Sequence, residues 1–513
     1  MEKILSGPAW TKIGFEWSRK TLGFWLGPAF FVLTLCLPLE GLSPQARRLA
    51  AVTAWVVVWW VCEPVPLAAT ALLAAVLNAV LGVASAAQVL SDFAHPILFL
   101  FIGSFMLARA MALHGLDRRF AYFILSFSWV RKSPARILAA FGLAAAALSM
   151  WISNTACAAI FLPIAMGVLK SMDELSTAGP NPVRWMESPF ASGLLLTVAY
   201  ASAAGGLATP VGTPPNLIGI GMLEKMKGVH VGFLQWSAVG VPIAAGFLCL
   251  LLPLIVLLHP APRVSFEAMG GYFAKLRLES GGMSRGERNV LFAFGLTVFL
   301  WLLPSACQWI LGADHPWTRL LAGRLDEGIV AMLGATLLFA LPVSWRERRF
   351  TLDWSQAVRI DWGTILLFGG GLSLGKLMFD TGLARWIAQG MSGLTGASSL
   401  WGVTALGALM AGLLSETASN TASANMTVPI IIVLADQAGV SPLIPVVATS
   451  LSCSFAFMFP VSTPPNAVVY GSGKIPITSM IRAGTALHLL GFAWLMVALW
   501  LLVQLGVLPA NLL

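Results

Sequence analysis

One seven-residue polar phrase is written twice in this chain, each time inside a strongly apolar stretch. The first copy is Ser149, Met150, Trp151, Ile152, Ser153, Asn154, Thr155; the second is Ser415, Glu416, Thr417, Ala418, Ser419, Asn420, Thr421. Each is followed by another shared phrase. It reads Pro210, Val211, Gly212, Thr213, Pro214, Pro215, Asn216 in the first half and Pro460, Val461, Ser462, Thr463, Pro464, Pro465, Asn466 in the second. Amides, hydroxyls and broken helices are costly at membrane depth, where no water can satisfy them. Their duplication therefore needs a reason, and the four segments read as two halves of one binding site.

Composition places these segments in a bilayer. Of 513 residues, 58% are hydrophobic and 10% are charged, and the mean hydropathy is +0.83. A soluble domain carries about 25% charged residues. Apolar stretches of the roughly 20 residues that a spanning helix needs recur from Phe24 to Val507. The net charge of +9 follows the loops rather than forming a nucleic-acid patch, so the expected partner is the lipid bilayer. Cys36, Cys62, Cys157, Cys249, Cys307 and Cys453 lie in or beside apolar segments without metal-ligand spacing and read as small hydrophobes.

The first 21 residues, with Lys3, Lys12, Arg19 and Lys20, read as a cytoplasmic N-terminal segment rather than a signal peptide. A first span and its loop cover 22–45, and a first repeat covers 46–259. Within that repeat, 135–169 reads as a hairpin with its polar tip at mid-depth, and 189–224 as a helix broken at the prolines. A polar linker at 260–288 leads to a second repeat at 289–513, with a hairpin at about 396–437 and a broken helix at about 441–472. Gly103, Arg109, Gly115, Leu116 and Arg118 find Gly370, Lys376, Gly382, Leu383 and Arg385 at one constant displacement. The expected fold is an all-α polytopic membrane protein of about 11 transmembrane helices, with two inverted repeats, two re-entrant hairpins and two broken helices.

Basic residues orient it. With the N-terminus inside, Arg19, Lys20, the 118–136 cluster, the linker, Arg346, Arg348, Arg349, Arg359, Lys474 and Arg482 fall on the cytoplasmic side. Arg47, Arg48, Lys225, Lys227, Arg319, Arg324 and Arg385 fall outside, as does the C-terminus. This asymmetry obeys the positive-inside rule, and an odd number of spans per repeat inverts the second copy.

Chemically, the motifs offer hydroxyls, amides and free backbone groups. Unwound carbonyls and side-chain oxygens suit a small hard cation such as sodium, whereas half-helix N-termini suit a carboxylate. No Arg, Lys or His lies within the four phrases, so co-bound cations would supply the charge a dianion needs. Arg109 and Lys376 read as snorkelling residues. Glu416, the acid of the second motif, reads as facing solvent at the hairpin mouth; proton coupling is its alternative role. Trp55, Trp59 and Trp60 read as interfacial anchors, and Gly369, Gly370 and Gly371 as a site of close helix contact rather than a phosphate loop.

The doubled Ser-Asn-Thr with the doubled Pro-Pro-Asn phrase resembles the divalent anion/sodium symporter family of dicarboxylate, citrate and sulfate carriers. Glu63 and Pro66, followed by Thr70, Ala71 and Leu72, share in the resemblance, which covers the chain from about residue 22. It implies a homodimer with an elevator-type motion, in a bacterial inner membrane, with sodium as coupling ion and no organic cofactor. One sodium site would use Ser149, Ser153, Asn154 and the backbone near Gly212. The other would use Ser415, Ala418, Asn420 and the backbone near Ser462. A substrate dianion would meet Ser153, Asn154, Thr155 and Thr213 on one side, and Ser419, Asn420, Thr421, Thr463 and Pro464 on the other. Ser462 stands where the family commonly has Ala, adding a hydroxyl that either crowds or joins the second ion site. The expected activity is sodium-coupled symport of C4-dicarboxylates such as succinate, malate or fumarate. Sodium-independent exchange and carriage of citrate or sulfate are rival readings of the same fold. An intramembrane enzyme would need a nucleophile–base pair or metal ligands, and the scattered histidines form no HExxH.

Overall fold

A computed structural model describes residues 9–177, 183–262, 281–312 and 314–508. Residues 1–8 of the expected N-terminal segment and 263–280 of the expected linker lie outside the described residues. The fold is nearly all helical, with one small exception: Pro342–Ser344 (β1) and Arg349–Phe350 (β2) form a two-stranded antiparallel hairpin.

The helices of the first half are α1 (Ala9–Cys36), α2 (Pro44–Cys62), α3 (Leu67–Val80), α4 (Ala86–Ser91), α5 (Pro96–His114), α6 (Leu116–Leu125), α7 (Pro134–Ser149), α8 (Asn154–Thr177), α9 (Pro189–Gly206), α10 (Pro214–Lys227) and α11 (Phe233–Leu258). Those of the second half are α12 (Arg285–Leu311), α13 (Pro316–Arg324), α14 (Glu327–Ala340), α15 (Trp354–Ala357), α16 (Trp362–Asp380), α17 (Leu383–Thr395), α18 (Leu400–Thr417), α19 (Asn420–Gln437), α20 (Leu443–Ser452), α21 (Pro464–Tyr470) and α22 (Ile477–Gln504). Proline opens α2, α5, α7, α9, α10, α13 and α21, where its missing N–H removes a donor that would have no intrahelical partner.

Among the described residues, seven helical stretches are long and apolar enough to cross a membrane. They leave large side chains outward, among them Leu257, Phe292, Phe299 and Leu489, as lipid-facing surfaces do. The tryptophans of α2 behave otherwise. Trp60 is fully buried, and Trp55 and Trp59 pack edge-to-face with each other and against Phe31 and Phe24 of α1. Trp55 and Trp59 pack between α1 and α2. The cysteines are free thiols; Cys157 and Cys453 are buried, while Cys36 and Cys249 are exposed.

The two halves cross-pack. Helix α10 of the first half lies against α19 and α20 of the second, and α21 of the second lies against α8 and α9 of the first. Close approach depends on small residues. A Cβ at Gly370 of α16 would come within 2.6 Å of the Ala71 methyl on α3, so part of the glycine run does serve close helix contact. At Gly205 of α9 a Cβ would overlap the Ala146 carbonyl of α7. Overpacking typically costs about 1–3 kcal/mol. Gly205→Val is therefore expected to lower the thermal unfolding midpoint of purified protein in detergent by several degrees, whereas a substitution at exposed Gly390 is expected to leave it unchanged.

Candidate functional site

Four backbone breaks converge on one cavity. The α7–α8 hairpin turns at 150–153, and the α18–α19 hairpin turns at 418–419. The α9–α10 pair is interrupted over 207–213 and the α20–α21 pair over 453–463. A cavity of about 1510 Å³ is lined by Ser153, Asn154 and Thr155 from the first tip and by Ser419, Asn420 and Thr421 from the second. Gly212, Thr213, Ser462, Thr463 and Pro464 of the two interruptions line it too. All nine residues proposed from sequence to meet a substrate thus share one surface. Of those proposed for sodium, Ser153, Asn154, Gly212, Asn420 and Ser462 reach the cavity, whereas Ser149, Ser415 and Ala418 lie buried behind it.

The two halves repeat their internal bonding. The Ser149 hydroxyl donates to Asn154 Oδ1 at 2.6 Å, and the Ser415 hydroxyl lies 2.7 Å from Asn420 Oδ1 and 2.5 Å from the Cys453 carbonyl. Each motif serine therefore fixes the asparagine that begins the second arm of its hairpin. The Pro-Pro-Asn asparagines, absent from the sequence-based site, tie the interruptions together. Asn216 Nδ2 donates to the carbonyls of Gly206 (2.9 Å) and Thr209 (2.8 Å), and Asn466 Nδ2 to those of Ala456 (3.0 Å) and Phe459 (3.1 Å). The signal for them was present, since both asparagines close a duplicated phrase. A Cβ at Gly206 would lie 2.7 Å from Asn154 Oδ1, so glycine here is what admits the motif amide against the broken helix.

This arrangement has two chemical faces. Helices α8, α10 and α19 begin at the cavity, with Asn154, Pro214 and Asn420 on its wall, so their free N–H groups and positive dipole ends favour an anion. Helices α7, α9 and α18 end beside it, leaving carbonyls that favour a cation. The oxygen set near each tip is hydroxyl, amide and carbonyl, and among the described residues no group of three or more His, Cys, Asp or Glu could hold a metal. Neutral oxygens of this kind fit a weakly demanding hard cation such as sodium.

Glu416 overturns its sequence reading. It is 4% exposed rather than solvent-facing. Its Oε1 accepts from the Phe457 N–H (2.9 Å), and its Oε2 from the Met458 N–H (3.0 Å) and the Ser462 hydroxyl (2.9 Å). His488 of α22 places Nδ1 3.2 Å from Oε1 and 2.8 Å from the Phe455 carbonyl. The carboxylate thus splints the unwound stretch before α21, and the Ser462 hydroxyl is already engaged by Glu416. The first half has Met150 at the corresponding motif position, where the Thr209 hydroxyl donates to its carbonyl at 2.5 Å. A chain-distant histidine partner left no signal in the linear sequence.

The cavity wall also carries Arg19, Lys20, Arg109, Arg118 and Arg359, with Glu63, Asp117 and Asp361, so it opens toward the strongly basic face. The opposite face is held by ion pairs. Lys225 of α10 meets buried Asp92 at 2.8 Å, Lys227 meets Asp436 at 2.7 Å, and Glu327 of α14 accepts from the Phe233 N–H at 3.3 Å. His230, in the loop between α10 and α11, sits 3.7 Å from both Glu224 and Glu327. The two carboxylates beside it push it up to about 10.

The family model for the transmembrane region of sodium:sulfate symporters matches residues 19–508. The chain belongs to this family. It is 35% identical over 487 residues to the sodium-dependent dicarboxylate transporter SdcS of Staphylococcus saprophyticus, covering 94% of this chain and 91% of that protein. It is 34% identical over 480 residues to SdcS of Staphylococcus aureus strain RF122, covering 91% and 88%. Two solved structures share the fold at low identity. The YdaH transporter of Alcanivorax borkumensis aligns with a TM-score of 0.50 at 14% identity, over 82% of this chain and 88% of that one. MtrF of Neisseria gonorrhoeae aligns with a TM-score of 0.51 at 11% identity, over 80% and 82%. The chain is an integral membrane protein of a transporter family.

Removing one acceptor of the Glu416 splint tests it. In Glu416→Gln the side-chain NH2 faces a backbone N–H in either orientation, that of Phe457 or of Met458, and an unsatisfied buried group costs about 1–3 kcal/mol. The variant is expected to unfold several degrees below the parent in a detergent thermal scan, and His488→Gln to lose less. Equal stability of Glu416→Gln and parent would show that the carboxylate does not brace this turn.

Proposed function

We propose that this chain is a secondary active transporter that couples sodium movement to the symport of a small divalent anion, a C4-dicarboxylate such as succinate, malate or fumarate. The shared cavity carries this reading. Two Ser-Asn-Thr tips and two Thr-Pro-Pro turns meet on it, presenting oxygens for cations beside N–H groups for carboxylates. The four phrases hold no lysine, arginine or histidine. A dianion there needs positive charge that travels with it, and sodium ions supply it. Ser149, Ser153, Asn154 and the Gly212 backbone form one ion site; Ser415, Ala418, Asn420 and the Ser462 backbone form the other. The dianion lies between Ser153, Asn154, Thr155 and Thr213 on one side and Ser419, Asn420, Thr421, Thr463 and Pro464 on the other. Relatives named sodium-dependent dicarboxylate transporters support both the ion and the substrate class.

The strongly basic face is cytoplasmic by the positive-inside rule. That puts the N-terminus inside and the C-terminus outside a bacterial inner membrane, with the cavity open inward. The hairpins and broken helices move as one body against α2, α3, α5, α14 and α16, in an elevator-type step within a homodimer. The Lys225–Asp92 pair, which ties α10 to the segment before α5, parts when the body rises, whereas Lys227 and Asp436 travel together.

Reconstituted protein is expected to accumulate labelled succinate only under an inward sodium gradient. Equal uptake in potassium, or uptake that requires internal dicarboxylate, would make it an exchanger. Preference for citrate or sulfate in the same assay would move the substrate class. Asn154→Ala and Asn420→Ala are each expected to cut uptake at least about tenfold, given one lost buried hydrogen-bonding partner, while the protein still elutes as a single folded species. The membrane potential contributes about 2.3 kcal/mol per charge per 100 mV, so current recordings give the net charge moved per cycle.

A further inference from the structure

Among the described residues, Arg109 on the cavity wall has no hydrogen-bond or ion-pair partner. Arg109 lies on α5, about a turn and a half before its end at His114. It is half-buried and lines the cavity, and its Nε is closed off from solvent without a hydrogen bond. Among the described residues no ion pair reaches it.

Its repeat counterpart shows what is missing. Lys376 of α16 pairs with Asp380 one turn further on, at 3.0 Å. The two helices otherwise end alike. Each stops at a left-handed glycine, Gly115 with φ 74° and Gly382 with φ 80°, and each is followed by an amphipathic helix, α6 or α17. At the place corresponding to Asp380, however, the first half has Leu113. One repeat neutralises its cation internally, and the other leaves it open. The acids on the same wall are engaged elsewhere. Asp117 accepts from the Arg118 N–H at 2.7 Å, Asp361 accepts from the Thr364 N–H at 3.1 Å, and Glu63 faces Arg19 at 4.0 Å.

We propose that Arg109 is an oxyanion-holding station on the cavity wall, where a carboxylate of the small dianion rests between the mouth and the Ser-Asn-Thr tips. A half-buried guanidinium without an anion is under-compensated, and its planar fork matches a carboxylate in bidentate geometry. Exposed Arg118 and Arg359 at the mouth raise the local anion concentration around it. The station stands apart from the two sodium sites, because a fixed cation can hold a dianion without co-bound sodium. It rests on the transport reading for the identity of the anion, not for the existence of the site.

Two measurements on the full-length protein test it. In proteoliposomes of known orientation, the half-saturating succinate concentration is read at each face. Arg109→Gln is expected to raise the value at the basic face about three- to tenfold relative to the opposite face, the scale of one partly exposed charge-assisted bond. Arg109→Lys is expected to retain most of the affinity. Leu113→Asp recreates the internal partner of the second repeat and is expected to reproduce the Arg109→Gln ratio without removing the arginine. An unchanged ratio in both Arg109→Gln and Leu113→Asp overturns the proposal. So does an effect seen only with anionic lipid and lost in phosphatidylcholine alone, which would make the ligand a lipid headgroup.

The second measurement needs no transport. Purified protein carrying both Asn154→Ala and Asn420→Ala is titrated calorimetrically with succinate, citrate and sulfate in sodium-free buffer. Residual weak binding that disappears on adding Arg109→Gln supports the station even if no uptake of succinate is ever seen. Absence of residual binding, or binding that Arg109→Gln leaves intact, overturns it.

Discussion

The structure depends on one constraint: backbone broken in an apolar interior must find its hydrogen-bond partners inside the protein. Helix α9 stops at Gly206 and α20 at Ser452, and the chain does not resume helix until Pro214 and Pro464. Asn216 and Asn466 answer this by reaching back from the first turn of the resumed helix to two carbonyls of their own interruption. Each amide closes its break from within the same half. The prolines before it preset the restart and remove donors that would otherwise need partners. Because the breaks are self-supporting, the remaining N–H and carbonyl groups can face the cavity. The binding surface is what is left over once the asparagines have satisfied the rest.

Duplication made much of this readable in the sequence. A polar phrase that recurs in an apolar setting points to a site before any helix is placed. The prolines of the second phrase mark where helix cannot continue, and α10 and α21 begin at Pro214 and Pro464. What stayed hidden depends on contacts distant in the chain. Glu416 was read as solvent-facing because an acid in a hairpin turn usually is. Its burial depends on Phe457, Met458, Ser462 and His488, none of which its neighbourhood announces. The contacts of Trp55 and Trp59 with Phe31 and Phe24 of α1 are equally chain-distant and leave no local signal. The Pro-Pro-Asn asparagines were visible as a repeat, but their role as internal braces follows only from the fold.

The two halves are alike in backbone and unlike in charge. In both, a motif serine fixes the asparagine that starts the second hairpin arm. In the second half alone, a carboxylate stands behind the tip, accepting three hydrogen bonds from the unwound segment. A carboxyl group beside one cluster of carbonyls and hydroxyls gives that cluster an acidic neighbour that the corresponding Met150 position of the first half lacks. The two polar clusters are therefore not equivalent, even though the backbone repeats.

The same asymmetry runs the other way for positive charge. The second half pairs Lys376 with Asp380, whereas among the described residues Arg109 of the first half stands on the cavity wall without an acid partner. On the proposed transport reading, a dianion leaving tips that carry no fixed cation must give up compensation before water can fully replace it. A half-buried guanidinium part-way along the route shortens that gap, because the anion exchanges one favourable contact for another instead of crossing an uncompensated stretch. A cation placed among the tips themselves would have bound the dianion in the absence of sodium and so weakened coupling. Set on the wall, it can assist passage while the tips still require the ion. On that reading coupling and release place opposite demands on positive charge, and the proposed station would separate the two along the cavity.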